Sequence, residues 1–248
     1  MNLSNNTILL TGGATGIGLA LAQRLRQAGS DVLICGRRAD KLREAQRQVP
    51  GLHTYACDLA QAADRAELAR RVLADFPALN VLVNNAGVQH RVRLAQADTS
   101  PAGWAAQQQE IAINFEAPVH LSLLLLPQLQ RQPGATIINV TSGLAFAPGA
   151  FAPVYSATKA ALHSFTLTLR HQLAATGVRV LEIAPPAVDT DLGGVGLHTT
   201  GAPVADFAAS VLARLAAGAL EVGYGPSEAL RLAGRTELDA TFRQMNGG

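Results

Sequence analysis

Short apolar runs alternate along the chain with longer segments in which apolar residues recur every three to four positions. The short runs are rich in β-branched residues, which is typical of strands, and segments such as GLALAQRLRQAG have the spacing of amphipathic helices. Strands are predicted over residues 7–11, 32–35, 54–57, 81–84, 136–141, 178–183 and, with the weakest pattern, 221–224. Because strands and helices alternate throughout, we expect an α/β fold with a doubly wound parallel sheet (Rossmann-type) of about seven strands and helices on both faces.

Two segments depart from this alternation. Residues 104–130 contain Pro118 and Pro127, and proline inside a helix removes a hydrogen bond and bends the axis, so a kinked or broken helix is predicted there. The glycine-rich stretch 193–201 has no periodicity and predicts a mobile loop. No linker or low-complexity segment divides the chain, and residues 1–248 are interpreted as one domain.

The composition narrows the class of protein. Hydrophobic residues make up 48% of the 248 residues and charged residues 15%, with a formal net charge of +2, which suits a globular protein with a well-buried sheet. The absence of long runs of like charge argues against a nucleic-acid surface or a polybasic membrane anchor. The most apolar window, LSLLLLPQL, is shorter than the roughly 20 residues of a membrane span, and no signal-peptide pattern opens the chain. A cytoplasmic location without a nucleic-acid or membrane partner is predicted.

The cysteines and histidines carry no recognisable site. Cys35 and Cys57 each end an apolar run and are interpreted as small buried side chains. The six histidines lack metal-ligand spacing, so no metal is predicted.

A glycine-rich segment, TGGATGIG, follows the first predicted strand and opens into a predicted helix. Gly12, Gly16 and Gly18 allow the backbone to turn tightly and a diphosphate to approach the helix N-terminus, where unpaired N–H groups face the anion. The strand before it and the helix after it favour a dinucleotide site over an ordinary glycine turn.

The second predicted strand ends in CGRR. Dinucleotide-binding chains that prefer NAD place an acid here to hold the ribose 2′-hydroxyl, and an arginine can instead accommodate a 2′-phosphate. Gly36 replaces the acid, Arg37 can grip a phosphate with its planar fork, and Arg38 can pair with the phosphate or lie over the adenine. Two solvated surface arginines are the alternative, and NADP is preferred over NAD. Asp58 can accept the adenine amino group, with a helix N-cap as its competing role.

Tyr155 and Lys159, in YSATK, lie four positions apart and hence on one face of a helix. A phenol is a poor acid at neutral pH, and a nearby ammonium is expected to move its pKa downward. Ser142 follows the fifth predicted strand, where a doubly wound sheet presents ligand-binding residues. Its hydroxyl can donate a hydrogen bond to a carbonyl oxygen.

With these motifs in this order, the chain resembles the short-chain dehydrogenase/reductase superfamily, in its short single-domain branch. The resemblance rests on the glycine segment, Asp58, NNAG at 84–87, Asn114, Ser142, Tyr155, Lys159 and PPAVDT at 185–190. It implies that Tyr155 is the general acid in reduction, that Lys159 tunes it and holds the nicotinamide ribose, that Ser142 orients the carbonyl, and that Asn114 supports a water-mediated proton relay. The expected NADP(H) site consists of Gly12, Thr15, Gly16, Ile17, Gly18, Arg37, Arg38, Asp58, Leu59, Asn85, Ala86, Gly87, Tyr155, Lys159, Pro185, Val188 and Thr190.

Two residues depart from the usual pattern of the superfamily. Pro185-Pro186 stands where many members have Pro-Gly, and Thr15 replaces a frequent serine. CGRR together with PPAVDTDL is similar to a subgroup labelled after a lipoteichoic acid D-alanylation operon, a label that we do not adopt as a guide to the substrate.

The resemblance implies reversible, NADPH-dependent reduction of a small ketone or aldehyde. An imine reductase of the same fold and a non-catalytic NADP(H)-binding regulator remain as alternatives. The substrate loop is expected at about 186–205, and an apolar pocket is expected from Leu144, Phe146, Phe151, Leu192 and Leu197. Arg91 and Arg93 could face an acidic substrate, although a solvated loop is favoured. The HLSLLLL segment and the Tyr155-bearing helix correspond to the superfamily's dimer helices, which predicts a homodimer or homotetramer.

Overall fold

A computed structural model describes residues 1–247. Its strands are β1 Thr7–Thr11, β2 Asp31–Gly36, β3 His53–Ala56, β4 Val81–Asn84, β5 Thr136–Val140, β6 Arg179–Ala184 and β7 Glu221–Gly223. They form one sheet in the order β3-β2-β1-β4-β5-β6-β7, and every neighbouring pair is parallel. The predicted doubly wound sheet is confirmed, and the predicted strand ends differ from the observed ones by at most one residue.

Helices cover both faces of this sheet. They are α1 Gly16–Gln27, α2 Ala39–Gln48, α3 Ala62–Asp75, α4 Pro101–Ile111, α5 Ala117–Leu129, α6 Pro153–Leu173, α7 Val204–Ala216, α8 Pro226–Leu232 and α9 Arg235–Asn246. Side chains alternate along a strand, so Ile8 and Leu10 of β1 pack in one core with Leu21 of α1 and Phe207 of α7. Leu9, between them, packs in the other core, with α3, α5 and α6.

The strand order reverses at β1, which pairs with β2 on one side and with β4 on the other. In open α/β sheets, ligands bind beyond the carboxyl ends of the strands at such a switch point. The glycine segment and NNAG follow β1 and β4 directly, and the fold therefore brings these two distant motifs to the same crevice.

The helical run that contains both prolines is not broken. A π-helical turn, Ala112–Glu116, joins α4 to α5, and the N–H of Ala117 donates to the carbonyl of Ala112, five residues earlier. Pro118 has no N–H, so it cannot bond to the carbonyl of Asn114. The predicted break is therefore wrong, because a widened turn near Pro118 joins the two helices and α5 continues past Pro127 to its end. The predicted kink stays a prediction.

Residues 185–203 contain turns and one isolated parallel bridge, between Val188 and Ala202. Helix α7 begins at Val204, just inside the end predicted for the substrate loop. Cys35 and Cys57 are both buried free thiols, as expected. Within residues 1–247, no helix is long and apolar enough to cross a membrane.

Candidate active site

A cavity of about 1560 Å³ opens at the carboxyl ends of the strands. All of the predicted NADP(H)-binding residues, which include Tyr155 and Lys159, line this cavity, and so does Ser142. Asn114 is the one predicted site residue that does not line it, because its side chain is fully buried behind Val88. The fold therefore gathers motifs from six strand ends into one crevice.

Close packing explains the glycines of the first loop. Gly12 and Gly16 have φ of +66° and +55°, in the left-handed region that favours glycine. A Cβ on Gly18 would lie 2.2 Å from the carbonyl oxygen of Gly12. Thr15, the N-cap residue of α1, makes no side-chain hydrogen bond to the first turn within the described chain. The first N–H groups of α1 are therefore left for an anion.

Asn85 holds this loop from behind. Its Nδ2 donates to the backbone oxygens of Thr11 at 2.9 Å and of Gly12 at 3.3 Å. The hydroxyl of Thr11 in turn accepts from the N–H groups of Asn85 and Ala86, each at 3.0 Å. The side chain of Asn85, expected to touch the cofactor, is thus directed to the loop backbone. The sequence pattern did not indicate that Thr11 supports this loop. The only feature of the sequence that could have indicated this role is its position at the end of β1.

The end of β2 presents free positive charge. The side chains of Arg37 and Arg38 are exposed and line the cavity, and neither forms an ion pair or a hydrogen bond with residues 1–247. A Cβ at Gly36 would approach just one side chain within 4 Å, Leu42 at 3.9 Å. The absence of an acid at this position is therefore not imposed by lack of space.

Asp58 lies next to this end of the cavity. Its Oδ1 accepts from the N–H of Ala60 at 3.1 Å in a local turn. The competing interpretation of Asp58 as an N-cap is wrong, since α3 begins at Ala62 and its N-cap residue is Gln61.

The chemical end of the cavity brings a hydroxyl, a phenol and an ammonium together. Ser142 caps a short turn after β5, where its Oγ accepts from the N–H of Leu144 at 3.1 Å. Tyr155 and Lys159 lie one turn apart in α6. The Nζ of Lys159 donates to the carbonyl of Val140 at 2.8 Å and lies 5.6 Å from the centre of the Tyr155 ring.

Burial dominates the electrostatics of this group. It raises the pKa of Tyr155 to about 12, an effect that the Ser142 hydroxyl opposes and the Glu110 carboxylate reinforces. Burial also lowers the pKa of Lys159 to about 8, against the attraction of Glu110. The expectation that Lys159 would move the phenol pKa downward is wrong for this structure, because loss of water around the phenolate is the largest effect on the pKa and raises it.

Comparison with known protein families identifies the family to which this chain belongs. The sequence profile described as short chain dehydrogenase matches residues 6–196. The chain belongs to the short-chain dehydrogenase family. It is 47% identical to "Uncharacterized oxidoreductase DltE" of Bacillus subtilis (strain 168), over 99% of this chain and 98% of that one. This similarity confirms the resemblance to the D-alanylation-operon subgroup, and this dehydrogenase is therefore an oxidoreductase of a family that uses nicotinamide cofactors.

Solved structures share its fold and part of its sequence. A short chain dehydrogenase from Burkholderia cenocepacia J2315, in complex with NADP, superposes with a TM-score of 0.82 at 26% identity, covering 98% of this chain and 99% of that one. L-Sorbose reductase from Gluconobacter frateurii, complexed with NADPH and L-sorbose, gives a TM-score of 0.70 at 28% identity, covering 77% of this chain and 73% of that one.

Asn114 of this dehydrogenase lies in the π-helical turn and is held there by Val88 and Thr158. Its Oδ1 accepts from the N–H of Val88 at 2.9 Å, and its Nδ2 donates to the carbonyl of Val88 at 2.8 Å and to the Thr158 hydroxyl at 3.2 Å. The side chain is thus fully engaged. The backbone carbonyl of Asn114 does not accept the usual helical hydrogen bond, because Pro118, four residues later, has no N–H to donate.

The substrate end of the cavity is only partly apolar. Leu144, Phe151 and Leu192 line it as expected, whereas Phe146 and Leu197 do not. Phe146 instead packs against the ring of His163 at 4.8 Å between centroids.

Polar groups also reach this end of the cavity, and His90 is one of its lining residues. Arg91 lies over the ring of Phe151, with its Cζ 4.9 Å from the centroid, and neither Arg91 nor Arg93 lines the cavity. The sequence pattern had not singled out Glu110, which lies fully buried beside His90.

Proposed function

We propose that this short-chain dehydrogenase uses NADPH to reduce a ketone or aldehyde to an alcohol, reversibly, with Tyr155 as the proton donor. The observation that carries the proposal is the meeting of Ser142, Tyr155 and Lys159 in the same cavity as the glycine loop. A hydroxyl, a phenol and an ammonium beside a dinucleotide cleft suit proton transfer to an oxygen while a hydride reaches the adjacent carbon.

The residues of the cleft fit NADP(H). The uncapped N-terminus of α1 and the tight glycine packing suit a diphosphate. Arg37 and Arg38 suit a 2′-phosphate, and Gly36 offers no carboxylate to repel it. The complexes of the Burkholderia cenocepacia dehydrogenase with NADP and of L-sorbose reductase with NADPH support this choice. Bound here, the cofactor would supply the hydride.

The mechanism assigns one task to each side chain. The hydroxyl of Ser142 donates a hydrogen bond to the substrate carbonyl oxygen and orients it. The phenol of Tyr155, whose pKa is about 12 and which therefore holds its proton at neutral pH, transfers that proton to the same oxygen, so that an alcohol forms. Lys159 stabilises the phenolate left behind. A proton from solvent then restores the phenol by way of water at the backbone carbonyl of Asn114.

Substitution of Tyr155 tests the assignment. Tyr155→Phe should lower kcat by about two to four powers of ten, the usual contribution of a positioned acid or base, and should change the Kd for NADPH far less. The measurement is NADPH oxidation over a panel of ketones and aldehydes, together with a binding titration. Tyr55→Phe is the matched control, because Tyr55 lies on β3, outside the cavity, and its hydroxyl donates to Asp75 at the end of α3.

Two results would contradict the proposal. Retention of most turnover by Tyr155→Phe would exclude the phenol as the proton donor. Tight NADPH binding by the unmodified chain with no turnover of any carbonyl or imine would favour the non-catalytic regulator.

A further inference from the structure

Glu110 and His90 form a buried contact beside the catalytic group, here termed the Glu110–His90 pair. The segment after β4 runs along α4 and the π-helical turn, where Val88 bonds to Asn114 and the N–H of His90 donates to Oε1 of Glu110 at 3.1 Å. Glu110 precedes Asn114 by one helical turn, so both side chains face this segment.

The contact leaves two polar atoms facing each other. Glu110 is fully buried, and its Oε2 lies 3.6 Å from Nδ1 of His90. Neither atom has a hydrogen-bond partner within the described residues. At 3.6 Å the two atoms are too far apart for a direct hydrogen bond and close enough for an electrostatic contact. Nδ1 of His90 therefore faces the buried carboxylate of Glu110.

The His90 side chain is also partly exposed to the cavity. Its side chain is 38% exposed and lines the cavity that contains Ser142 and Tyr155. With Nδ1 facing Glu110, Nε2 is the ring nitrogen left for a ligand. The cavity lined by Leu144, Phe151 and Leu192 is thus also lined by a ring with a hydrogen-bonding nitrogen.

We propose that His90, positioned by Glu110, binds a hydroxyl group of the substrate, so that the enzyme prefers hydroxylated carbonyl compounds to hydrocarbon ones. The preference rests on the proposed reductase function. A hydroxyl satisfies Nε2 either as donor or as acceptor. Burial raises the pKa of Glu110 above its ordinary value. At a pH where Glu110 is ionised, its buried and little-screened charge disfavours a substrate carboxylate in this place.

The test compares three matched substrates: a linear methyl ketone, the same ketone with a terminal hydroxyl, and the same ketone with a terminal carboxylate, in a short series of chain lengths. We expect the unmodified enzyme to favour the hydroxylated ketone in kcat/KM by about tenfold or more, the effect of one good hydrogen bond to an oriented group. His90→Phe should abolish this preference while the plain ketone is still reduced.

Glu110→Gln separates positioning from structural support. The amide oxygen still accepts from the N–H of His90, while the negative charge is removed. We therefore expect kcat/KM for the carboxylate ketone to rise relative to the plain ketone, which a purely structural role would not produce. His171→Phe, at an exposed position of α6 outside the cavity, is the matched control.

The outcomes are distinct. Equal kcat/KM for plain and hydroxylated ketones, or a preference that survives His90→Phe, would overturn the inference. An equal loss of kcat/KM on all three ketones in Glu110→Gln would mean that Glu110 acts through Lys159. That result would overturn the role of Glu110 in positioning His90. If no ketone is reduced, the proposed function fails. Calorimetry then measures how the plain and the hydroxylated ketone bind to the NADPH complexes of the unmodified chain and of His90→Phe. Tighter binding of the hydroxylated ketone to the unmodified chain, lost in His90→Phe, would support the inference, and its absence would overturn it.

Discussion

The cofactor preference of this dehydrogenase should depend on Arg37. Its side chain is exposed at the end of β2 and makes no ion pair within residues 1–247. Arg37→Ala therefore removes no contact that stabilises the fold, and any change in affinity reports on the ligand. A guanidinium that meets the 2′-phosphate interacts with NADPH alone, because NADH carries a hydroxyl at that position.

The expected size of the effect follows from exposure. A hydrogen bond to a charged group contributes about 1.5–3 kcal/mol, and solvent screening at an exposed arginine favours the lower end. Arg37→Ala should thus raise the Kd for NADPH about tenfold and leave the Kd for NADH nearly unchanged. Added salt should weaken NADPH binding to the unmodified chain and narrow the difference between the two proteins.

Gly36→Asp extends the test in the opposite direction. A Cβ at this position meets Leu42 at an ordinary 3.9 Å, so the structure has room for the β-carbon of an aspartate. Its carboxylate would repel a 2′-phosphate and accept a hydrogen bond from a 2′-hydroxyl. We expect weaker NADPH binding and tighter NADH binding than in the unmodified chain.

Fluorescence titrations of each protein with NADPH and with NADH give the dissociation constants to be compared. Arg43→Ala, an exposed arginine of α2 that does not line the cavity, controls for a general loss of positive charge. Equal losses for both cofactors in Arg37→Ala, or the same NADPH loss in Arg43→Ala, would refute phosphate recognition by Arg37.

Two further substitutions test the packing and the electrostatics. Gly18→Ala should destabilise the fold by about 1–3 kcal/mol, because its Cβ would clash with the Gly12 carbonyl, and it should weaken the binding of NADPH and NADH alike. Denaturant midpoints measure the stability and titrations measure the binding. A fully stable variant with normal binding would contradict this prediction. Glu182 raises the pKa of His163 above its ordinary value, so that interaction stabilises the fold fully below about pH 6.5 and is lost as the pH rises through the raised pKa. The unfolding free energy of His163→Gln should accordingly approach that of the unmodified chain at high pH, and a constant difference across this range would exclude the linkage.

Local patterns accounted for most of the fold and for the main site residues. The strand-helix alternation reflects layers that bury each strand on both faces, so its period survives in any chain with this architecture. Tyr155 and Lys159 share a face because the helix repeat alone dictates it. The glycine segment was recognisable because it directly joins a strand to a helix.

Contacts between distant segments decided the rest. Glu110 stands in a run of polar residues, QQQEI, typical of a solvated helix face, yet the segment after β4 packs over it and buries it completely. Asn85 braces the glycine loop because β1 and β4 are neighbours in the sheet.

The protonation of Tyr155 depends on the same kind of contact. Spacing alone predicted a phenol pKa lowered by Lys159, and the tertiary structure reverses this by removing water from the phenol. The order of residues thus determines which groups share a helix face or a loop. Burial and the meeting of separate segments arise only when the layers pack, and they determine which of those groups carry charge and which reach the substrate.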